Sequence, residues 1–283
     1  MEIVKSSREM TARAITFQRE GFSAGFVPTM GALHAGHLSL LERSRVENDK
    51  TIVSIFVNPT QFGPLEDFRR YPRDIEGDLE KLEQAGTDHV FLPDVKDMYS
   101  EDYRTFVEVT GLADKLCGKF RPGHFRGVAT VVTKLFHIVR PTRAYFGQKD
   151  YQQSLIIQAL VRDLDMGIDI VVCPTVRESD GLAMSSRNAY LDENERKAAG
   201  ALSKAMNEIA RKIQKNAATD IPGEFKRIFS REPLISEVQY ASAYDPVTLD
   251  ELKNGSIKKG KALLAVAVKI GATRLIDNML VEV

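Results

Sequence analysis

Apolar stretches of two different periods alternate along the first 176 residues of the chain. Short runs rich in β-branched and aromatic residues predict buried strands at 25–29, 51–58, 88–93, 105–111, 143–148 and 169–176. Between them, apolar residues three and four apart predict helices that begin near residues 35, 75, 124 and 150. Strands separated by helices are typical of βαβ units, so we expect a Rossmann-like, doubly wound parallel α/β domain over residues 1–176.

The pattern changes after residue 176. Residues 191–215 predict one long amphipathic helix with Asp192 as its N-cap. Its inward face carries Leu202, Ala205, Met206, Ile209 and Ile213. Strand-like segments follow at 237–245, 261–271 and 273–283. A helix followed by strands predicts a smaller C-terminal α+β domain over residues 177–283, and the absence of a low-complexity linker predicts close packing of the two domains.

Composition narrows the class of protein. The 283 residues include 39 Lys and Arg against 39 Asp and Glu, and this balance argues against a surface devoted to nucleic acid or anionic membrane. Two cysteines are too few for a disulfide framework or a cysteine-built zinc site. No apolar run approaches the roughly 20 residues of a membrane span, and the first residues lack the apolar segment of a secretory signal. We therefore expect a cytoplasmic enzyme or binding protein without a nucleic-acid or membrane partner.

Polar segments that follow the strands are the first places to look for chemistry, because α/β sheets bind ligands beyond the carboxyl ends of their strands. After the first predicted strand, His34 and His37 stand three apart at a helix start and so share one side of its first turn. Free N–H groups at a helix start suit phosphate, and imidazoles can donate to phosphate oxygens or add charge as cations. Gly36 would let a nucleotide approach the backbone. A metal site or purely structural histidines are the alternatives for this segment.

Two further segments are ambiguous when taken alone. In FVNPTQFG, the amides of Asn58 and Gln61 could converge on a small polar ligand, and Tyr71 follows. In RPGHFRG, Arg121 and His124 form a basic turn suited to an anion or a carboxylate. Loop amides and turn residues of this kind are as often only solvated.

Another pair of segments offers cations and hydroxyls. In FGQKDYQQ, Lys149 could neutralise phosphate, while Asp150 could cap the next helix or accept from a ribose hydroxyl. Gln153 lies one turn further on the same side. In VRESDGLAMSSRN, two hydroxyls before Arg187 could form a small anion clamp beside a glycine that allows movement.

In order and spacing, the segments PTMGALHAGH, FVNPTQF, RPGHFRGV, FGQKDYQQ and PTVRESDGLAMSSRNAYL resemble the pantothenate synthetase (pantoate–β-alanine ligase) family over nearly the whole chain. That family belongs to the nucleotidylyltransferase superfamily, whose HxGH motif and KMSKS-like loop resemble His34–His37 and Met184–Arg187 here. The resemblance implies that pantoate attacks the α-phosphate of ATP to give pantoyl adenylate and pyrophosphate, and that the amine of β-alanine then yields pantothenate and AMP. The alternative is a nucleotidylyltransferase that moves AMP or CMP to a phosphorylated acceptor; the HxGH and MSSR segments fit it equally well, but the PTQF loop and the GQKDYQQ helix do not follow from it.

The resemblance also implies residue roles. The catalytic residues would be His34, His37 and Lys149, and the family treats His37 as the catalytic acid. ATP would be bound by Met30, Gly31, Ala32, Leu33, His34, Ala35, Gly36, His37, Gly147, Gln148, Lys149, Asp150, Val176, Met184, Ser185, Ser186 and Arg187. Pantoate and β-alanine would be bound by Pro28, Asn58, Gln61, Tyr71, Arg121, His124 and Gln153. Many relatives have Glu where this chain has Gln148, a position that is not itself a strong ligand candidate.

Magnesium and a second copy of the chain complete the expectations. Mg²⁺ should accompany ATP and prefers oxygen ligands, for which Asp78 and Asp88 are candidates between which the sequence does not choose. The family resemblance implies a homodimer. Because the candidate site collects histidines, Lys149 and Arg187, we also expect a chain that is neutral overall and positive at its site.

Overall fold

A six-stranded sheet organises the first part of the molecule. The structure, a computed structural model, describes residues 1–64, 66–215, 220–253 and 260–282. The strands are β1 (Glu2–Val4), β2 (Ala24–Thr29), β3 (Lys50–Ile55), β4 (His89–Phe91), β5 (Arg143–Gly147) and β6 (Asp169–Cys173). All pairs are parallel, in the order β1-β4-β3-β2-β5-β6. The chain moves outward from β2 to β4 and then returns to place β5 beside β2, which opens a crevice at the carboxyl ends of β2 and β5.

Helices cover the sheet. They are α1 (Ser7–Arg19), α2 (Ala35–Glu47), α3 (Ile75–Gln84), α4 (Val95–Met98), α5 (Leu116–Phe120), α6 (His124–Val139) and α7 (Tyr151–Asp163). The most apolar of them is α6, and its predicted inward face is buried throughout: Val128, Val131, Val132, Leu135, Phe136 and Val139. The ring of Phe136 packs edge-on against Phe26 of β2 and Phe146 of β5, so this helix closes one side of the crevice.

A smaller antiparallel sheet follows. Its elements are α8 (Glu193–Gln214), α9 (Ile221–Phe229), β7 (Ile235–Tyr244), β8 (Lys261–Ile270) and β9 (Thr273–Glu282), with strand order β7-β8-β9. The predicted N-cap is confirmed, because the carboxylate of Asp192 accepts from the backbone N–H groups of Asn194 and Glu195. Val283, the last residue of the third predicted strand, lies outside the described residues. The predicted fold class, a Rossmann-like parallel α/β sheet with a smaller α+β part, is confirmed.

One predicted strand is wrong. Residues 105–111 form no strand within the described chain, although side chains alternate between exposed and half-buried from Phe106 to Val109. Val107 and Val109 pack on the core, and the N–H of Val107 donates to Oγ1 of Thr130 at 2.9 Å instead of joining a ladder. The alternation predicted an extended chain correctly but carried no information on whether a neighbouring strand exists.

Other differences are smaller. The elements β1, α1, α4, α5 and α9 were not predicted; α1, for example, buries only Met10 and Ala14 and has a weak apolar stripe. Val46 lies in α2 but is 80% exposed. Both cysteines, Cys117 and Cys173, are free and buried. Among the described residues, no helix combines the length and apolarity needed to cross a bilayer.

Candidate active site

The turn between β2 and α2 is held by a buried carboxylate. Gly31 and Ala32 both have positive φ, 82° and 51°, and Ala32 is strained there because its side chain disfavours the left-handed region. Asp78 of α3, with no exposed surface, accepts from the N–H groups of Ala32 and Leu33, both at 2.7 Å. These charge-assisted hydrogen bonds offset the strain and fix the start of α2. Sequence reasoning did not find this role of Asp78.

The two histidines after this turn are neutral N–H donors. Nδ1 of His34 accepts from the N–H of Gly36 at 3.2 Å, and Nδ1 of His37 accepts from the N–H of His34 at 3.3 Å. Since both Nδ1 atoms accept, each ring carries its proton on Nε2. Burial, with the Lys149 charge, lowers the pKa of His34 to about 4, and burial next to His34 lowers the pKa of His37 to about 3. Of the two roles open to these rings, N–H donor or cation, the free protein therefore offers the N–H donor at neutral pH.

Gly36 is required by the histidine beside it. A Cβ at this position would lie 2.9 Å from both Cε1 and Nδ1 of the His34 ring, which is closer than real Cβ contacts. Glycine thus keeps the imidazole seated on the helix start. The expected approach of a nucleotide to this glycine stays a prediction.

A cavity of about 230 Å³ opens at the carboxyl ends of β2 and β5. The predicted residues that line it are Pro28, Met30, His34, Gly36, His37, Asn58, Gln61, Tyr71, Arg121, His124, Gly147, Lys149, Asp150, Gln153, Val176, Met184, Ser185, Ser186 and Arg187. Its apolar wall includes Val128, Val131 and Val132 of α6. Five predicted residues do not line it: Gly31, Ala32, Leu33, Ala35 and Gln148. The N–H groups of Ala32 and Leu33 are already bound to Asp78. Five segments scattered along the chain thus meet at one place.

The loop after β3 presents one amide and uses the other internally. Asn58 is 1% exposed; its Oδ1 accepts from Thr60 and Tyr99, and its Nδ2 donates to Gln61 Oε1 at 3.1 Å. Asn58 therefore holds the Pro59–Gln61 turn, and its expected contact with pantoate or β-alanine stays a prediction. Gln61, held in this way, turns its Nε2 toward the sulfur of Met30 at 3.2 Å, a weak acceptor that a ligand oxygen could replace.

Arg121 and His124 are organised by a carboxylate that sequence reasoning missed. Nε and Nη2 of Arg121 donate to the two carboxylate oxygens of Glu66 at 2.7 and 2.5 Å. Nη1 of Arg121 donates to Nε2 of His124, whose Nδ1–H donates to the carbonyl of Gln61 at 2.8 Å. Burial and the neighbouring Arg121 charge lower the pKa of His124 to about 3, so this ring is also neutral.

The MSSR segment lies beside the HxGH turn. Residues 176–184 form a small hairpin, closed by the N–H of Met184 donating to the carbonyl of Val176. Oγ of Ser186 donates to the carbonyl of Ala32 at 3.1 Å. Nε and Nη2 of Arg187 donate to the two carboxylate oxygens of Asp67, both at 2.9 Å, and this guanidinium lies over the ring of Tyr71. Asp67 is a second carboxylate that sequence reasoning did not find.

Strand β9 of the smaller sheet holds two elements of the site. Nδ2 of Asn278 donates to the carbonyls of Gln148 and Lys149 at 3.0 and 2.8 Å. The neighbouring Asp277, whose side chain has no exposed surface, accepts from both Nη atoms of Arg177 at 2.8 and 3.0 Å. The turn at Gln148–Lys149, here called the lysine turn, and the 176–184 hairpin are therefore both hydrogen-bonded to β9. A larger cavity of about 440 Å³ between the two parts adjoins the site and shares Lys149 and Arg187 with it.

The cations of the site are paired. Arg121 pairs with Glu66, Arg187 with Asp67, and Lys149 lies 3.5 Å from Asp150. Burial alone would raise the pKa of Asp67, yet the bound Arg187 holds it below its usual value. With three neutral imidazoles and three compensated cations, the described site gathers positive groups as expected but carries no excess positive charge of its own.

The two carboxylates considered for magnesium are not placed for it. Asp78 is occupied by backbone N–H groups, and Asp88 accepts from the N–H of Thr51 at the start of β3, at the opposite edge of the sheet. Among the described residues, no three His, Cys, Asp or Glu side chains cluster as a metal site. Asp150 is the acidic residue that lines the 230 Å³ cavity.

The fold and the site define a class: a parallel α/β protein with a cavity at the switch point of its sheet, where an HxGH turn at a helix start and a Ser-Ser-Arg loop meet. A sequence model of the family described as Pantoate-beta-alanine ligase matches residues 2–280, and the chain belongs to that family. The chain is 58% identical to the pantothenate synthetase of Thermodesulfovibrio yellowstonii over 283 residues, all of both chains.

Solved structures agree. The crystal structure of pantothenate synthetase from Thermus thermophilus superposes with a TM-score of 0.92 at 44% identity and covers 99% of each chain. The pantoate-beta-alanine ligase from Francisella tularensis, complexed with beta-gamma ATP and beta-alanine, superposes with a TM-score of 0.82 at 36% identity. That match covers 99% of this chain and 97% of the other. The family resemblance that the motifs indicated is confirmed.

Proposed function

We propose that this chain uses ATP to join pantoate to β-alanine, through a pantoyl-adenylate intermediate, and releases AMP and pyrophosphate. The observation that carries the proposal is the meeting of the HxGH turn, the PTQF loop, the GQKD turn and the MSSR hairpin at one cavity beyond β2 and β5. Full-length similarity to pantothenate synthetases supports it. Transfer to a phosphorylated acceptor would not require the PTQF loop or Gln153, which line the same cavity.

In the first step, this chain has to position phosphate and neutralise charge. The Nε2–H groups of His34 and His37 donate to phosphate oxygens, which gain charge as the pantoate carboxylate attacks the α-phosphate and pyrophosphate leaves. Lys149, Arg187 and the hydroxyls of Ser185 and Ser186 bind the remaining phosphate oxygens. No side-chain nucleophile is needed, because positioning and electrostatic stabilisation supply most of the catalysis of such transfers.

The apolar wall of the cavity and two glutamine amides bind pantoate. Val131 and Val132 contact its alkyl carbons, and the amides of Gln61 and Gln153 bind its hydroxyls and carboxylate. The Gln153 side chain makes no hydrogen bond to any described residue and is available for this. In the second step, the β-alanine amine forms a C–N bond to the acyl carbon. The bond from that carbon to the AMP oxygen breaks, AMP leaves with the electron pair, and the nitrogen gives up its proton to water.

Magnesium would enter with ATP. Mg²⁺ usually binds through phosphate oxygens, water and one or two carboxylates, so a cavity with a single lining carboxylate among the described residues fits this mode. Asp150 would contribute that carboxylate, with Asp78 and Asp88 excluded by their positions. The ion would supply charge neutralisation on the phosphates.

The proposal extends to organisation and compartment. We place the domain boundary near residue 176, just after β6, and expect the homodimer that the resemblance implied. The extended segment 105–109 supports a second copy, because its described backbone makes no hydrogen bond to another backbone group and Phe106 is 43% exposed. Sedimentation of the Phe106→Glu variant as a monomer would support this contact. Two free buried thiols suit a reducing cytoplasm.

Exchange of label between pyrophosphate and ATP tests the proposed function most directly. The exchange should require pantoate and should not require β-alanine, because it reports the adenylate step alone. Formation of the amide should then require β-alanine. Exchange that proceeds without pantoate, or that depends on a phosphorylated acceptor, would move the chain to the nucleotidylyltransferase alternative.

A further inference from the structure

Asp67 occupies the edge of Arg187 that best suits phosphate. Both fork nitrogens of the arginine, Nε and Nη2, donate to Asp67 at 2.9 Å. The two side chains are mostly buried, with 15% of Asp67 and 26% of Arg187 exposed. The hydroxyl of Tyr190 lies 3.4 Å from the same carboxylate, and the ring of Tyr71 lies beneath the guanidinium. The arginine is therefore held rigidly at the cavity, with its fork already in use.

A carboxylate and a phosphate compete for the same fork. The planar guanidinium binds either group through two parallel N–H···O bonds, so a phosphate that takes this edge has to displace Asp67. An unpaired arginine in a half-buried place is unfavourable, and Asp67 supplies a partner whenever phosphate is absent. When phosphate replaces Asp67, the arginine stays paired throughout. Phosphate binding is weaker, however, because the ion pair between Arg187 and Asp67 has to break first.

We propose that Asp67 is a positioning residue that competes with phosphate for Arg187, and so sets how tightly the site holds ATP and pyrophosphate. This inference rests on the proposed function, because it takes the phosphates to lie at Arg187. Its consequence for the reaction is release: once the adenylate has formed, the carboxylate returns to the fork as pyrophosphate leaves.

The Asp67→Asn variant of the full chain tests the proposal. We expect calorimetric binding of pyrophosphate to tighten about tenfold, because the neutral amide competes weakly for the arginine, and the KM for ATP to fall in parallel. Asp67→Glu, which keeps the charge, should restore much of the original affinity. A purely structural role would weaken binding, so a gain in affinity distinguishes the two. If Asp67→Asn does not fold, Asp67→Ser carries the same expectation.

Control variants distinguish the release of Arg187 from the general effect of removing a negative charge. Glu66→Gln removes one charge from the same loop but frees Arg121, so it should tighten pyrophosphate much less; equal effects of the two variants would overturn the role of Arg187. Asp250→Asn removes an ion-paired aspartate away from the site, at Lys115, and should leave the affinity unchanged. In an Arg187→Ala background, Asp67→Asn should have no further effect.

Weaker or unchanged binding of pyrophosphate to Asp67→Asn would overturn the inference. Because calorimetry needs no turnover, this outcome is distinct from failure of the proposed function, which would be seen as the absence of pantoate-dependent exchange in the unaltered chain.

Discussion

At the scale of single residues, the two histidines of the HxGH turn divide their ring nitrogens between structure and ligand. Each Nδ1 is used to hold the start of α2, and each Nε2–H is left for a bound molecule. An imidazole can do both at once because its two nitrogens are an acceptor and a donor in the neutral form. Histidine at these positions thus serves without carrying charge in the free protein.

His37→Ala should lower kcat by about 10²-fold, because it removes a donor aimed at charge that develops in the transition state. Far-UV circular dichroism should be unchanged, since the helix start keeps its His34 cap. Steady-state ligation with saturating ATP gives the measurement. The matched control is His137→Ala on the exposed side of α6, which should keep full activity. An unchanged kcat in His37→Ala would remove this residue from the mechanism.

Residue types and spacing predicted the lining of the cavity better than the partners behind it. Histidines, amides and cations after strands indicated a phosphate and carboxylate site, and most of them line one cavity. The supporting residues Glu66, Asp67 and Asn278 gave no signal, because each contacts its partner across 55 to 130 positions of sequence. Asn58 lines the cavity, but its amide is bonded to Thr60, Gln61 and Tyr99, and its contact with a substrate stays a prediction. Local patterns in a single sequence do not reveal which distant side chain a charged group faces.

At the scale of elements, α3 acts on the site without touching the cavity. Its buried Asp78 binds two successive N–H groups of the turn that leads into α2, and Lys81 on the next turn of α3 donates to the carbonyl of Leu33. The strained backbone at Ala32 persists because this helix over-determines it. The orientation of the two histidines therefore depends on how α3 packs.

Asp78→Asn should lower the free energy of unfolding by about 2–3 kcal/mol, since the amide can accept from only one of the two N–H groups and leaves the other unsatisfied. The KM for ATP should rise because the turn loses its geometry. Urea denaturation and initial rates give the two measurements. Asp88→Asn is the control: it also binds a backbone N–H but is 37% exposed, so it should cost less than about 1 kcal/mol. If the variant kept its stability but changed the dependence of the rate on magnesium, Asp78 would be a magnesium ligand instead.

Elements with a complete pattern of their own were predictable. The helices α6 and α8 have continuous apolar stripes, and α8 has its Asp192 cap, so local signals agreed with the fold. Segment 105–111 has the alternating pattern of a strand, but a strand also needs a neighbouring strand to pair with, which its own sequence does not show. The helix α1 escaped notice because a polar surface helix with two buried side chains resembles loop sequence.

At the scale of the whole molecule, charge balance and site chemistry are related. The chain has equal numbers of basic and acidic residues, and the described site repeats this balance in pairs. An anionic ligand of this site would therefore meet ion pairs that have to rearrange, and neutral imidazoles that donate through Nε2–H.

The three neutral histidines predict a loss of stability in mild acid. Their folded pKa values, about 3 to 4, lie below the ordinary value of about 6.5 in the unfolded chain. Between these values the unfolded chain binds more protons, so the free energy of unfolding is full above pH 6.5 and falls as the pH drops toward 4. Roughly 1 kcal/mol or more per histidine should be lost by about pH 5. Urea titrations at neutral pH and in this mild acid measure it.

His124→Asn should reduce this loss, because its amide can still donate to the Gln61 carbonyl but does not titrate. His137→Asn, at an exposed histidine of α6, serves as the matched control. Equal slopes for these two variants would show that His124 is charged in the folded protein.

The contact between β9 and the lysine turn sets an order in time. During synthesis the parallel sheet emerges from the ribosome and can fold first, but the Gln148–Lys149 carbonyls wait for Asn278, more than a hundred residues later. A nascent chain thus carries the HxGH turn and the amides before the lysine is fixed. The backbone of the Gln148–Lys149 turn therefore reaches its final geometry only after β9 has joined the smaller sheet.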